Sequence, residues 1–70
     1  IDRMIQVTVN GQPRRFEQPL ALAALLAELA LTGKKVAVER NGAIVPKSAH
    51  PTTVLADGDR LEIVAAVGGG

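Results

Sequence analysis

The sequence contains no cysteine, tryptophan or tyrosine, and its only aromatic residue is Phe16. Without cysteine the chain can form no disulfide, no thiolate nucleophile and no cysteine-ligated zinc site, and a reducing cytoplasm is the expected compartment. Without aromatic side chains it lacks the platforms on which single-stranded nucleic acids stack. The formal net charge is only +1, and the basic residues are scattered along the chain. These features argue against a nucleic-acid-binding protein.

No apolar run is long enough to predict a membrane span. The longest, residues 20–31, is interrupted by Glu28, and it falls short of the ~20 residues that a span needs. The start of the chain also lacks a basic segment followed by an apolar one, so no signal peptide is predicted. We interpret residues 1–3 as a cloning remnant before a native start at Met4, and residues 4–67 as one small domain.

Few residues of this chain could carry out chemistry. The only histidine, His50, has no second histidine or paired carboxylate nearby in the sequence. We therefore interpret it as a surface or packing residue rather than a metal ligand or a catalytic base. The sequence contains no nucleophile–base pair and no phosphate-binding motif of the G-x-x-x-x-G-K-[ST] type. An autonomous enzyme is accordingly the disfavoured interpretation.

The first third of the chain predicts a hairpin. Residues 5–9 alternate between apolar and polar side chains, as a strand with one buried face does. Asn10-Gly11 follows, and this pair is typical of a type I′ turn, which needs positive φ at both central residues. A less regular return strand covers residues 12–16. Because Pro13 has no amide hydrogen, that strand is predicted at an edge of the sheet.

Leucines at helical spacing predict one amphipathic helix. Within residues 22–29 the leucines recur at i, i+3, i+4 and i+7, and most of the other positions are alanine. Gly33 is expected to end this helix in the C′ position, with the two following lysines near its negative end.

The second half of the chain predicts three further strands. Residues 36–39 alternate, Asn41-Gly42 is a second tight turn, and residues 43–45 form a short strand that Pro46 ends. Val54 and Leu55 are both expected to point into the core. In the last strand Leu61, Ile63 and Ala65 are expected to face inward, and the outward residues are Arg60, Glu62, Val64 and Ala66.

This order of elements predicts an α+β domain of two layers. One helix would pack across one face of a mixed sheet of four to five strands. As in a ubiquitin-like β-grasp domain, the first and last strands would be central and parallel.

The chain resembles the ThiS-type sulfur carriers of thiamine biosynthesis, which are ubiquitin-like β-grasp proteins. The resemblance covers Met4 to Gly70. It rests on the segments Val9-Asn10-Gly11, Leu25-Leu26, Glu39-Arg40-Asn41-Gly42, Ile44-Val45-Pro46-Lys47, residues 55–64 and the ending Val67-Gly68-Gly69-Gly70. Two positions depart from the family pattern, since Lys47 stands where arginine is frequent and His50 where tryptophan is common.

The resemblance implies that the C-terminal carboxylate of Gly70 is the reactive group. An E1-like adenylyltransferase (ThiF-type) would adenylate it with MgATP, a cysteine-persulfide donor would supply sulfur to form a thiocarboxylate, and a thiazole synthase (ThiG-type) would accept that sulfur. The chain itself would bind no cofactor. Gly68 and Gly69 are expected to form a flexible tail with Gly70, and without Cβ atoms this tail could thread into a narrow active site. The alternatives are a carrier like the small subunit of molybdopterin synthase, a ubiquitin-like modifier of lysines, or a plain binding module.

The outward face of the last strand predicts a surface for partner docking. Val64 and Ala66 are apolar at positions where a solvated face is usually polar. Together with Arg60 and Glu62 they lie just before the glycine tail, so we predict that an activating partner docks there.

Overall fold

The computed structural model describes residues 3–65. Its elements, in chain order, are β1 (Ile5–Val9), β2 (Gln12–Phe16), α1 (Leu22–Glu28), β3 (Val36–Arg40), β4 (Ala43–Val45), a 3-10 turn (Lys47–Ala49) and β5 (Arg60–Ala65). The strands form one sheet in the order β2-β1-β5-β3-β4. β1 and β5 are parallel, and every other neighbouring pair is antiparallel. The predicted β-grasp arrangement, with the first and last strands side by side in the centre, is confirmed.

The core lies between α1 and one face of the sheet. The leucines of α1 that repeat at helical spacing meet the apolar residues of β1, β3 and β5, and Leu55 closes the same cluster. The fully or nearly fully buried side chains are Ile5, Val7, Val9, Leu22, Leu25, Leu26, Val38, Leu55, Leu61 and Ile63. The period-two and period-3.6 patterns of the sequence therefore predicted most of the core.

Both predicted Asn-Gly turns are present. Asn10 and Gly11 have φ of 50° and 83°, and Asn41 and Gly42 have φ of 53° and 89°. These left-handed values are those of a type I′ turn, whose twist matches that of the two strands it joins. β2 is an edge strand, as Pro13 predicted, and Phe16 packs half-buried against the margin of the core.

The end of α1 differs from the prediction. Ala30, not Gly33, is the left-handed residue after the helix, with φ of 60°. The amide of Ala30 donates to the carbonyl of Ala27 and the amide of Leu31 to that of Leu26, at 3.0 Å and 2.8 Å, which is the Schellman pattern of helix termination. Leu31 also packs against the core, and this contact requires the chain to reverse at Ala30. Gly33, with φ of 81°, belongs to the next turn.

One residue predicted to point into the core does not, and a second lies beyond its edge. Val54 is 57% exposed, whereas Leu55 is buried. The segment that holds them runs extended beside residues 20–22, with an isolated bridge between Ala21 and Val54. Successive side chains of an extended segment point to opposite sides, so the two neighbours could not both enter the core. Ala65 lies on the inner face of the sheet, opposite Val36, as predicted, but it is exposed because it borders an open cavity at the end of β5.

Candidate functional site at the end of the last strand

The predicted reactive end of the chain follows β5, the central strand. Gly68, Gly69, Gly70 and Ala66 lie outside the described residues, so the roles assigned to them stay predictions. The described part of the site is β5 itself, with the groups that hold it in place and the surface that it presents next to Ala65.

Asn10 holds β5 from the β1 side. Its side-chain Oδ1 accepts a hydrogen bond from the backbone amide of Ile63 at 2.7 Å, and its Nδ2 donates to the carbonyl of Ile63 at 2.9 Å. In a regular parallel pair, backbone groups of β1 would make such bonds. The chain turns away at Asn10, and the side-chain amide takes the place of the next peptide group. This turn residue therefore extends the pairing of β5 toward the C-terminal end.

Asn41 holds the start of β5 from the β3 side. Its backbone amide donates to the carbonyl of Arg60 at 2.7 Å, and its Oδ1 accepts from the amide of Arg60 at 2.9 Å. The asparagines of the two hairpin turns thus bind opposite ends of β5. This arrangement holds β5 from both sides.

A buried carboxylate reinforces the start of β5. Asp59 accepts hydrogen bonds from the Arg40 side chain (Nε, 2.9 Å), the backbone amide of Ala56 (2.9 Å) and Nδ2 of Asn41 (3.0 Å). Burial by itself raises the pKa of Asp59, but these hydrogen bonds and the positive charge of Arg40 outweigh burial and hold the pKa below its usual value. The group is therefore ionised at neutral pH and ties the turn at Arg40 and Asn41 to the loop that leads into β5.

The outer face of the sheet carries an apolar and acidic patch beside the end of β5. The ladder places Ala37 opposite Val64, and Glu39 opposite both Glu62 and Ile44. Directly opposed residues share a face of the sheet. Val64 is 58% exposed and Ile44 is 65% exposed. We call these five residues the outer-face patch.

The structure places the predicted docking residues unequally. Glu62 and Val64 both belong to the outer-face patch. Arg60 is exposed on the same strand but lies at its start, beside Thr8, about 13 Å from Val64 at ~3.3 Å per residue. Ile44 also belongs to the patch, although it was not among the predicted docking residues. Side chains alternate along a strand, so the sequence does indicate that the middle residue of β4 points away from the core. Which residues lie beside it on the outer face depends on strand order, which a local pattern does not give.

His50 is a packing residue, as the sequence predicted. It is buried, and its Nε2 lies 3.2 Å from the carbonyl oxygen of Val45. Within residues 3–65, no group of three or more His, Cys, Asp or Glu side chains could hold a metal ion. In the same range no helix is both long and apolar enough to cross a membrane.

Comparison with known proteins agrees with this architecture. The model of the ThiS family matches residues 7–70. A crystal structure of a thiamine biosynthesis protein (ThiS) from Geobacter metallireducens superposes with a TM-score of 0.81 at 33% identity, covering 94% of this chain and all of that one. A solution NMR structure of a thiamine biosynthesis protein from the same organism gives a TM-score of 0.74, also at 33% identity, covering 94% of this chain and 88% of that one.

Relatives of two kinds are similar in sequence. A thiazole synthase of Paramagnetospirillum magneticum is 48% identical over 66 residues, which is 94% of this chain but only 20% of that protein. An uncharacterized protein of Porphyra purpurea is 34% identical over 70 residues, covering all of this chain and 99% of its own length. The chain thus spans about one fifth of the thiazole synthase and nearly the whole of the second relative. On the match of fold and family model, this chain belongs to the ThiS family, the sulfur carriers of thiamine biosynthesis.

Proposed function

We propose that the C-terminal carboxylate of Gly70 is the group that carries sulfur. The observation that carries this proposal is the family match, which extends through residue 70 and so includes the glycine end. A free α-carboxylate has a pKa of roughly 3.5, so it is ionised at neutral pH and is a poor electrophile. It must be activated before a sulfur nucleophile can attack it.

Activation would proceed on a partner enzyme. A carboxylate oxygen of Gly70 attacks the α-phosphorus of ATP, pyrophosphate leaves, and an acyl-adenylate forms. The terminal sulfur of a cysteine persulfide then attacks the acyl carbon and displaces AMP. A thiol reduces the resulting S–S bond, which leaves a thiocarboxylate on Gly70 and a disulfide on the sulfur donor. The chain supplies the acyl group, and its partner supplies the ATP site and the catalytic residues.

The accepting partner would be a thiazole synthase. A segment 48% identical to this chain is part of a thiazole synthase in Paramagnetospirillum magneticum. Proteins that act together are sometimes joined in one chain, so this similarity supports a partnership. Three extended glycines would carry the carboxylate about 10 Å beyond the domain, at ~3.3–3.6 Å per residue. The domain could therefore stay outside while its end enters the active site.

The test is intact-mass spectrometry after incubation with an E1-like adenylyltransferase, MgATP and a persulfide donor. The expected product is heavier by the difference between sulfur and oxygen. A variant lacking Gly70 should keep its fold by circular dichroism and give no such product. If the shortened chain is sulfurated to the same extent as the full one, Gly70 is not the site. High-mass lysine adducts would instead identify a protein modifier.

We further propose that the outer-face patch docks the activating enzyme. The patch joins exposed apolar side chains to Glu39 and Glu62 at the end of the strand that leads to Gly70. Val64→Asp should weaken binding to the adenylyltransferase by roughly tenfold or more, about the effect of losing one important interface residue. The cost in stability should stay below about 1 kcal/mol, since the position is exposed.

Val54→Asp is the matched control for this variant. Val54 is as exposed as Val64, at 57% against 58%, but lies in the segment beside residues 20–22 and outside the patch. Val54→Asp makes the same change of charge and polarity as Val64→Asp. Equal affinities for the Val64 and Val54 variants would show that the patch is not the docking surface.

A further inference from the structure

A second surface, on the helix side of the sheet, combines an apolar floor with a basic rim. Side chains of α1, of the segment after it and of the start of β3 form the floor, which includes Leu26, Leu31 and Val36. The space enclosed is about 380 Å³ and is open to solvent. Lys34, Lys35 and Lys47 form the rim. We call this surface the basic groove.

The charge of the basic groove is not balanced within the described part of the chain. Among residues 3–65, no aspartate or glutamate lines it. The ion pair found among residues 3–65 joins Arg40 to Asp59, so none of the three lysines takes part in one. Three lysines around an apolar floor form a surface suited to apolar groups flanked by carboxylates.

The basic groove is continuous with the end of β5. Leu31 and Val36 line it, and the same two residues line a second cavity together with Ile63, Val64 and Ala65. In the β3–β5 ladder, Val36 lies directly opposite Ala65. A protein that grips the chain just after Ala65 therefore has the groove within reach.

We propose that the basic groove binds an acidic segment, carrying at least one apolar side chain, of a protein that acts on the C-terminal end of this chain. This inference rests on the proposed function, because it takes the occupant to be a protein that handles Gly70. The apolar side chain enters between Leu26 and Val36, and the flanking carboxylates pair with the lysines. The outer-face patch carries Glu39 and Glu62, so the two surfaces select partner segments of opposite charge.

The test compares two double variants that remove the same charge. Lys34→Gln/Lys47→Gln removes two of the three positive charges of the groove, and Arg14→Gln/Arg15→Gln removes the charges of two exposed side chains of β2 at the far edge of the sheet. The dissociation constants for an adenylyltransferase and for a thiazole synthase are measured at low and at high salt. The groove variant should weaken binding of at least one partner by about threefold to thirtyfold, as expected for two solvent-accessible ion pairs. The difference should shrink at high salt, and the β2 variant should bind nearly as the wild type does.

Three results would overturn the proposal. The first is an equal loss in both double variants, which would indicate general electrostatic attraction. The second is unchanged affinity for both partners in the groove variant. The third is self-association of the wild type that the groove variant abolishes without changing partner affinity, which would make a second copy of the chain the occupant.

Thiocarboxylate formation is measured in the same preparations at saturating enzyme, where the groove variant should still react. Absence of product from the wild type would refute the proposed function, and the affinity comparison would still decide the role of the groove.

Discussion

Replacing Asn10 by glycine should remove the two side-chain hydrogen bonds that hold the C-terminal half of β5, without straining the turn. Glycine adopts the φ of 50° seen at this position at no steric cost, so the backbone of the hairpin can keep its conformation. What is lost is the side-chain amide, which bonds both the amide and the carbonyl of Ile63. These two residues are 53 positions apart in the sequence, so the bonds connect the first hairpin to the last strand.

The expected loss of stability follows from two terms. Each hydrogen bond contributes about 0.5–1.5 kcal/mol net, and two of them are removed. Glycine also raises the conformational entropy of the unfolded chain, which costs about 0.4–1 kcal/mol. We expect Asn10→Gly to lower the free energy of unfolding by about 2–3 kcal/mol. That is a large share of the stability of a small domain, for which about 5 kcal/mol is a typical lower value.

Ala30→Gly isolates the backbone term. Ala30 is also left-handed, with φ of 60°, but an alanine side chain makes no hydrogen bonds. Holding an L-residue in this conformation costs roughly 1–2 kcal/mol, and glycine releases that cost while adding its own entropy of about 0.4–1 kcal/mol. We therefore expect Ala30→Gly to stabilise the domain by about 0.5–1 kcal/mol. Both variants introduce glycine at a left-handed position, yet Asn10→Gly should destabilise the domain and Ala30→Gly should stabilise it.

Urea unfolding followed by far-UV circular dichroism measures both variants, because the chain has no tryptophan or tyrosine to report by fluorescence. With a slope of roughly 1 kcal/mol per molar urea, the midpoint of Asn10→Gly should fall by about 2–3 M. Hydrogen exchange adds a local measurement, since the amide of Ile63 should lose more protection than the global change accounts for. A loss of stability below about 1 kcal/mol, with unchanged protection of the Ile63 amide, would show that the Asn10 side chain does not stabilise β5 in this way.

Three further outcomes are expected. Asp59→Asn should cost about 1.5–3 kcal/mol at neutral pH, because hydrogen bonds to a charged group are lost. The pKa of Asp59 in the folded state lies below its ordinary value of 3.8, so this difference should persist above pH 3.8 and shrink as the pH falls further. A stability difference independent of pH between about 7 and 2 would contradict the assignment. Ile44→Asp should weaken adenylyltransferase binding by roughly tenfold while Val54→Asp does not, and calorimetric titration of both would detect the contrast. Leu25→Ala should destabilise by about 2–5 kcal/mol in chemical unfolding, because the side chain is fully buried; a cost under about 1 kcal/mol would mean that the helix does not pack as described.

The elements of this fold were predictable because their signals are local. Alternation over residues 5–9 and the leucine spacing of residues 22–29 depend only on which face of an element is buried. The two Asn-Gly pairs predicted hairpin turns because few residues adopt positive φ at both central positions. The charged network around Asp59 was not predictable, because no short-range pattern brings Arg40 and Asn41 beside it.

The errors arose where tertiary contacts override local preference. Gly33 is the better residue for a helix end, but packing of Leu31 moves the reversal to Ala30. Val54 is apolar, yet the extended pairing of its segment turns it outward so that Leu55 can enter the core. In both cases the free energy gained by burying a neighbouring leucine exceeds the local preference that the prediction relied on.

The sequence by itself determined the α+β class, the strands and the turns, and through its family resemblance it directed attention to Gly70, because each of these depends on residue type and short-range spacing. The tertiary structure decided which distant groups meet. Asn10 reaches Ile63, Asn41 reaches Arg60, and Ile44 lies in line with Glu62 across β3 because the sheet has the order β2-β1-β5-β3-β4. The same order brings Val36 beside Ala65 and so joins the basic groove to the end of β5. Strand order is set by the global burial of apolar faces, and no short segment of this sequence specifies it.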